Sequence, residues 1–383
     1  MSGATVRLTL DEALALCTGA AMRAGASADA AGSLARATVA AEAAGQQTVG
    51  LSHFVDYLDA LMAGRIDGTA EPLLDWPTPI IIRSDARGGI AHLGFDRAFD
   101  ALVAAARQYG MATFAQRNAF TCGSLGWFAG RLADAGLVAI AATNGPALMA
   151  GSGTTVPVFC TNPLAFAAPV DGGPPLLIDQ ASSATAFVNV RAAAERGEAI
   201  PTGWALGPDG EPTTDAAQAL RGVLLPFGGA KGANIALMVE VLAAGLASAN
   251  WSVDAPALLS GDRSPGSGLT IIAIDADAFD PGFASRLGAH LQRLAGEHGL
   301  HVPGLARNAA CAAAQKNGID VPARLVRRIE ADARRKKPRL SGAFAAIRRI
   351  SGATASRRCP SRQRPGCGHN APGCGRRAPC ACP

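Results

Sequence analysis

Residues 224–250 read LLPFGGAKGANIALMVEVLAAGLASAN, and the reading of this stretch decides the fold. Gly228, Gly229 and Gly232 surround Lys231 just before an apolar run that predicts a long helix beginning near Ala233. Glycines let the backbone approach a ligand closely, a helix N-terminus offers unpaired N–H groups, and a lysine adds positive charge. Together they suit a phosphate. A Gly-rich turn with a solvated lysine fits the same spacing. The common dinucleotide-binding fold needs G-x-G-x-x-G between a strand and a helix. The nearest match, "GSGTT" at Gly151, has no helical pattern behind it. A nicotinamide cofactor would therefore be held by a different fold.

Outward from this stretch the pattern is mixed α/β. Residues 8–44 predict Ala-rich helices, with "TLDEA" supplying a Thr9 cap and first-turn acids and "AGAS" a break. Strand signals fall at "PIIIRSDARGGIAHLGF", "MATFAQRN", "LVAIAATNG", "PLAFAAPV" and "PLLIDQASS", with helices at 97–110 and at "SLGWFAGRLADAG". In "AGQQTVGLSHFVDYLDALMAGRIDG", residues 44–68, Leu51, Phe54, Val55, Leu58, Leu61 and Met62 recur at helical spacing and Gly64 suits the stop. Gln46, Gln47, Thr48, Ser52 and His53 lie where the chain enters that helix. Thr48 is placed to cap it.

The net charge of +5 hides a division. From Arg324 onward sixteen basic residues face Glu330 and Asp332 alone, whereas the first 323 residues carry a net charge of −9. An acidic body argues against nucleic acid as a partner. Scattered Cys17, Cys122, Cys160 and Cys311, an N-terminus without a signal-peptide pattern and no apolar run of ~18–20 residues point to the cytoplasm and away from a membrane. Residues 338–383 are rich in Arg, Pro, Gly and Cys and cannot build a core. They read as a disordered tail or as translation of a shifted frame. The spacing of Cys367, His369 and Cys374 matches no zinc module, so no metal site is expected.

Seven segments in order carry a resemblance: "GLSHFVDYLDALMAGRIDG", "AGLVAIAATNGPA", "CTNPLAFAAP", "LLIDQASS", "IPTGWALGPDGEPTTD", the opening stretch and "HVPGLAR". The chain resembles the malate/L-lactate dehydrogenase family of NAD(P)-dependent oxidoreductases over roughly residues 8–325. Its Gly-Lys-Gly stretch looks most like the branch that reduces Δ1-piperideine-2-carboxylate and Δ1-pyrroline-2-carboxylate, in lysine catabolism and proline metabolism. The resemblance implies a non-Rossmann α/β fold with a mainly antiparallel sheet and flanking helices. It further implies NADPH, with NADH as the alternative, a small cyclic imino acid as substrate, and a homodimer. Expected boundaries are an N-terminal helical domain at 1–75 completed by 300–337, a substrate and dimerisation domain at 76–111 and 276–299, and a cofactor domain at 112–275.

Residue by residue, the resemblance implies substrate contact at Thr161. It implies cofactor contacts at Thr121, Cys122, Gly123, Ser124, Asn162, Pro163, Asp179, Gln180, Ala181, Gly229, Ala230, Lys231, Gly232 and Arg307. Where the family places Ser-His-Gly, two residues and Arg, this chain has Thr48, Val49, Gly50, Leu51, Ser52 and His53. The family's proton-donating histidine is thus a valine, and its carboxylate-gripping arginine is His53. The later family His-Phe is also absent, since residues 120–123 read Phe-Thr-Cys-Gly. Thr48, Ser52 and His53 are the catalytic candidates that remain, His53 also as a substrate contact, although a helical histidine without a role fits the same pattern. A keto acid needs a positioned acid, worth ~10²–10⁴-fold, whereas a cyclic imine arrives already protonated. Imine reduction is therefore the expected activity. A 2-hydroxyacid dehydrogenase acting on malate, lactate or ureidoglycolate is the second reading, and an inactive NADPH-binding homologue the third.

Overall fold

Short polar signals set the N-terminal helices. Thr9 and Glu12 form a reciprocal capping box that starts α1 (Leu10–Ala24), Gly25 ends it at φ 114°, and Ser27 caps α2 (Ala28–Ala43). The computed structural model describes residues 4–334, so the expectations for 338–383 lie outside the described residues. Before α1 comes β1 (Thr5–Leu8), and after α2 come α3 (Leu51–Met62), β2 (Leu73–Thr78), β3 (Ile81–Asp85), α4 (Ala91–Tyr109) and β4 (Met111–Ala119). Next are α5 (Gly126–Asp134), β5 (Val138–Thr143), β6 (Met149–Ala150), β7 (Pro157–Phe159), β8 (Leu164–Ala168) and β9 (Leu176–Gln180). They are followed by α6 (Phe187–Arg196), β10 (Ala205–Leu206), β11 (Pro212–Thr213), α7 (Ala216–Ala219), β12 (Val223–Leu224) and α8 (Ala230–Glu240). The described chain closes with β13 (Ser267–Ile274), α9 (Phe283–His298), α10 (Leu305–Asn317), β14 (Ile319–Pro322) and α11 (Ala323–Arg334).

Among the described residues, three large cores and a small fourth one of Ala150, Leu206 and Val223 hold these elements. Cys17, Leu34, Phe54, Leu58, Val321 and Ile329 bury one between α1, α2, α3, α11 and the antiparallel β1–β14 ribbon, which joins the two ends of the described chain. The second lies under a seven-stranded sheet of order β2-β3-β4-β13-β5-β8-β9. Every neighbouring pair in it is antiparallel except β3–β4. Its two faces follow the period of two along β13. Leu269, Ile271 and Ala273 join Phe95, Leu102, Phe128 and Leu132 of α4 and α5. Thr270 points the other way and donates to Leu242 O at 2.7 Å. The third core, with Met149, Val190, Ile200 and Leu224, lies beneath the small sheet β11-β10-β12-β6-β7.

The architecture is the mainly antiparallel α/β fold that the sequence implies, and the seven-stranded sheet is not doubly wound. Two helices depart from expectation. α4 begins at Ala91 rather than 97 and takes in the "AHLGF" that reads as strand and turn, because Ala91, Phe95, Ala98 and Leu102 continue one buried helical face. α8 begins at Ala230, three residues before Ala233, because Gly229 at φ 62° turns the chain directly into it. Beyond Glu240 its hydrogen bonding widens into a π-helix, Val241–Leu246, packed on β13 where a Cβ at Gly268 would collide with Ala243 O. Among the described residues, no helix is long and apolar enough to cross a membrane.

Candidate active site

Antiparallel pairing collects loops at one end of the large sheet. The register sets Ser267 opposite Ala119, Leu269 opposite Thr143, Ala142 opposite Leu164, and Leu164 opposite Gln180. The end of β4, the start of β13, the end of β5, the start of β8 and the end of β9 therefore share one edge. Thr121–Ser124, Thr161–Pro163 and Asp179–Ala181, distant in sequence, are brought together there.

α3 reaches this edge through an acid that the sequence gave no reason to select. Glu42 Oε2 accepts from Leu51 N at 2.8 Å, so a buried carboxylate on α2 caps the first turn of α3. Burial pushes this carboxyl above its usual range, and the Leu51 N–H pulls it back. A Cβ at Gly50 would collide with it. Thr48 is exposed on the preceding turn, and the N-cap Gly50 receives no side-chain bond, which corrects the expectation that Thr48 caps the helix. The capping place is already taken by Glu42.

His53 lies one turn into α3, its side chain 12% exposed, with Nδ1 2.8 Å from Asp56 Oδ2. Nε2 is thus the nitrogen free to meet a ligand. The imidazole packs edge-on against Tyr57 at 5.0 Å, and the Tyr57 hydroxyl donates to Thr121 O at 3.1 Å. A Cβ at Gly123 would stand 3.5 Å from that hydroxyl and 3.9 Å from Val49 O. The helix is therefore docked on the Thr121–Gly123 turn with Val49 and His53 beside it. Ser52 is not part of this cluster. It lies with Val55 and Asp59 on the outer face of α3, in a groove of about 430 Å³ completed by Leu325 and Arg328.

Cys122 is buried, its sulfur 3.2 Å from Thr143 Oγ1, and burial pushes the thiol up to about 12. It stays protonated at neutral pH. Ser124 Oγ donates to Gln46 Oε1 at 2.9 Å and lies 3.5 Å from Asp179 Oδ2. Asp179 Oδ2 also accepts from Gly126 N at 2.9 Å, at the start of α5. Arg307 places Nη1 3.7 Å from that carboxylate and donates through Nη2 to Asp179 O at 3.2 Å. Gln46, Ser124, Arg307, Asn308 and Cys311 line a cavity of about 200 Å³. Gln180 is exposed at the strand end, with Ala181 half-buried beside it.

Across the edge, Thr161 O accepts from Ser182 N at 2.8 Å, and Pro163 O lies 3.4 Å from Thr143 N. Asn162 turns its side chain inward, donating to Ala236 O at 2.8 Å and to Glu240 Oε2 at 2.7 Å. The segment before α8 is pinned alongside, since Phe227 N donates to Ser182 O at 3.0 Å. Gly228 and Gly229 have φ of 56° and 62° with open space around them, and no side chain caps α8. A Cβ at Gly232 would collide with Phe227 O. Lys231 is exposed and makes no ion pair among the described residues. Free amides, close backbone and an unpaired cation fit a phosphate.

His92, at the start of α4, lies behind the turn, stacked on Phe128 at 5.3 Å and 6.2 Å from Tyr57. Burial lowers its pKa to about 4, from an ordinary 6.5. Below pH 6.5 the unfolded chain takes up a proton that the folded chain refuses until about pH 4. Stability from this residue is therefore complete above 6.5 and falls as pH drops through that window, by on the order of 3 kcal/mol. Urea unfolding at pH 7 and pH 4.5 should show the loss, and His92→Phe should flatten it. Equal slopes in the two proteins would contradict this.

A mainly antiparallel sheet whose gathered strand ends face an uncapped, lysine-bearing helix N-terminus defines an α/β ligand-binding protein outside the doubly wound class. The chain belongs to the malate/L-lactate dehydrogenase family, whose sequence model matches residues 8–330. It is 37% identical over 331 residues to a Δ1-pyrroline-2-carboxylate reductase of Ancylobacter novellus, covering 85% of this chain and 97% of that protein. It is also 37% identical over 276 residues to an NADP(+)-dependent (2R)-3-sulfolactate dehydrogenase of Chromohalobacter salexigens, covering 72% of this chain and 83% of that one. The crystal structure of Δ1-piperideine-2-carboxylate reductase from Pseudomonas syringae pv. tomato superposes with a TM-score of 0.82 at 31% identity, covering 86% of this chain and all of that one.

Proposed function

We propose that the protein is an NADPH-dependent reductase of cyclic imino acids, converting Δ1-pyrroline-2-carboxylate to L-proline and Δ1-piperideine-2-carboxylate to L-pipecolate. The carrying observation is Val49, which cannot move a proton, at the place where the family resemblance implies a donating histidine; its carbonyl stands 3.9 Å from where a Cβ on Gly123 would be. Reduction of a keto acid creates an alkoxide, whereas hydride addition to an iminium yields a neutral amine and needs no acid in the transition state. The reductase names among the similar proteins support the same choice.

His53 Nε2 and Thr161 Oγ1 hold the substrate carboxylate, with Asp56 fixing the imidazole through Nδ1. A bound nicotinamide supplies the hydride. Gly229–Gly232 and Lys231 take its phosphate. The backbone at Thr121–Ser124, Asn162–Pro163 and Asp179–Ala181 faces the remainder, together with Arg307. The NADP(+)-dependent relative supports NADPH over NADH. On this reading residues 112–275 carry the cofactor, 76–111 and 276–299 frame the substrate, and the described parts of 1–75 and 300–337 close the site. Free thiols at Cys17, Cys122, Cys160 and Cys311 suit a reducing cytoplasm.

The sulfolactate dehydrogenase favours a second reading, a 2-hydroxyacid dehydrogenase. Following NADPH oxidation with both imines, pyruvate, oxaloacetate and glyoxylate separates the two. Turnover of the imines is expected, and rapid turnover of a keto acid with neither imine would overturn the proposal. Binding of NADPH with no turnover would support an inactive homologue.

We also infer a homodimer, with its face on α8 of the cofactor domain rather than on the expected dimerisation segments 76–111 and 276–299. Leu237, Met238, Val241 and Leu246 are exposed along α8 and its π-helical extension, with Trp251 nearby, an apolar face that a second copy would cover. Sedimentation should give twice the chain mass, and Met238→Glu should shift the protein toward monomer. A wild-type monomer at micromolar concentration would refute this.

A further inference from the structure

Glu240 is a buried acid that the proposed chemistry does not use. Its Oε2 accepts from Asn162 Nδ2 at 2.7 Å and from Ser252 Oγ at 2.8 Å, while Oε1 accepts from Ser252 N at 2.6 Å. Ser252 Oγ in turn accepts from Cys160 N at 3.2 Å. One carboxylate thus grips both neighbours of Thr161, directly through Asn162 and by way of Ser252 at Cys160. Asn162 is fully buried with φ 36°, a left-handed conformation that a non-glycine residue keeps only when its surroundings enforce it. The grip on its side chain, from Glu240 and Ala236 O, supplies that enforcement. Among the described residues Thr161 Oγ1 has only the Cys160 Sγ at 4.0 Å as a side-chain hydrogen-bond partner, so its position is set by the segment that carries it.

Glu240 also ends the α-helical part of α8, nine residues after Lys231, and the chain becomes π-helical at the next residue. At about 1.5 Å per residue, this rigid helix spans ~13–14 Å between the phosphate-type N-terminus and the Thr161 segment. Departures into π-helix frequently accompany functional positions.

We propose that Glu240 is a positioning residue: through Asn162 and Ser252 it places Thr161 for the substrate carboxylate and ties that placement to the helix that begins at the cofactor phosphate. This rests on the reading of Thr161 as a substrate contact. The test uses the full-length enzyme, NADPH and Δ1-pyrroline-2-carboxylate, with Glu240→Gln, Ser252→Ala, Thr161→Val and the double variant Glu240→Gln/Thr161→Val. Glu240→Gln should raise KM by about tenfold with a smaller fall in kcat, and Ser252→Ala should do the same more weakly. NADPH affinity, read by fluorescence quenching, should change by less than about twofold because the free amides and Lys231 are untouched.

Because Glu240 acts through Thr161, its substitution should add almost nothing to KM in the Thr161→Val background. Independent, multiplying effects would overturn the proposal, as would a folded Glu240→Gln enzyme with unchanged KM. If Glu240→Gln does not fold, Ser252→Ala with Thr161→Val supplies the same comparison. Thr161→Val with unchanged KM would instead remove the reading of Thr161 itself, and with it the basis of the proposal.

Discussion

Replacing His53 with alanine is expected to raise KM for Δ1-pyrroline-2-carboxylate by roughly ten- to a hundredfold, since a charge-assisted hydrogen bond contributes ~1.5–3 kcal/mol. The side chain is largely enclosed, oriented by Asp56 and packed on Tyr57, whose hydroxyl holds the Thr121 carbonyl. NADPH affinity should change by less than about threefold, because the phosphate segment Gly229–Gly232 makes no hydrogen bond to α3 among the described residues and Tyr57 keeps its bond to the Thr121 carbonyl. Steady-state kinetics at several cofactor concentrations measures both quantities. An unchanged KM would show that the imidazole only covers Tyr57, leaving the carboxylate to Thr161 and backbone amides.

The opposite substitution tests what the chain lacks. Val49→His should leave imine reduction within about twofold of wild type, yet raise keto-acid reduction from the background by up to ~10²-fold. Position 49 sits beside Gly123 through its own carbonyl, next to the Thr121–Gly123 turn on which α3 is docked. A donor there matters only for a substrate that must be given a proton. Rates with pyruvate and oxaloacetate, compared with both imines, decide the matter. A large rise in imine turnover would mean that the protein, rather than the substrate, limits protonation.

Much of this was legible in sequence because it depended on local rules. Thr9 and Glu12, Gly25 and Ser27 mark helix ends through bonds three residues long. The mainly antiparallel fold follows from the family resemblance, and the Gly229–Gly232 segment marks an open helix start. What stayed hidden depended on contacts between distant segments. Glu42 lies in an Ala-rich helix where nothing marks it as the cap of another helix, whereas Thr48 lies two residues before the N-cap and reads locally as the cap. Ser52 and His53 are adjacent in sequence but occupy different faces of α3. Asp56, three residues after His53, is an i,i+3 partner whose spacing alone marks it. The π-helix after Glu240 has no local signature, and the grip of Glu240 on Asn162 spans 78 positions.

The central claim is that the reacting proton arrives with the substrate. It is tested most directly by the pH dependence of kcat/KM for Δ1-pyrroline-2-carboxylate in the wild-type and His53→Ala enzymes. The substrate must be an iminium to react, so both profiles should fall at high pH with the same midpoint, the variant lying lower throughout. A high-pH limb present in the wild type and absent or displaced in His53→Ala would show that the protein supplies the acid, and would contradict the account.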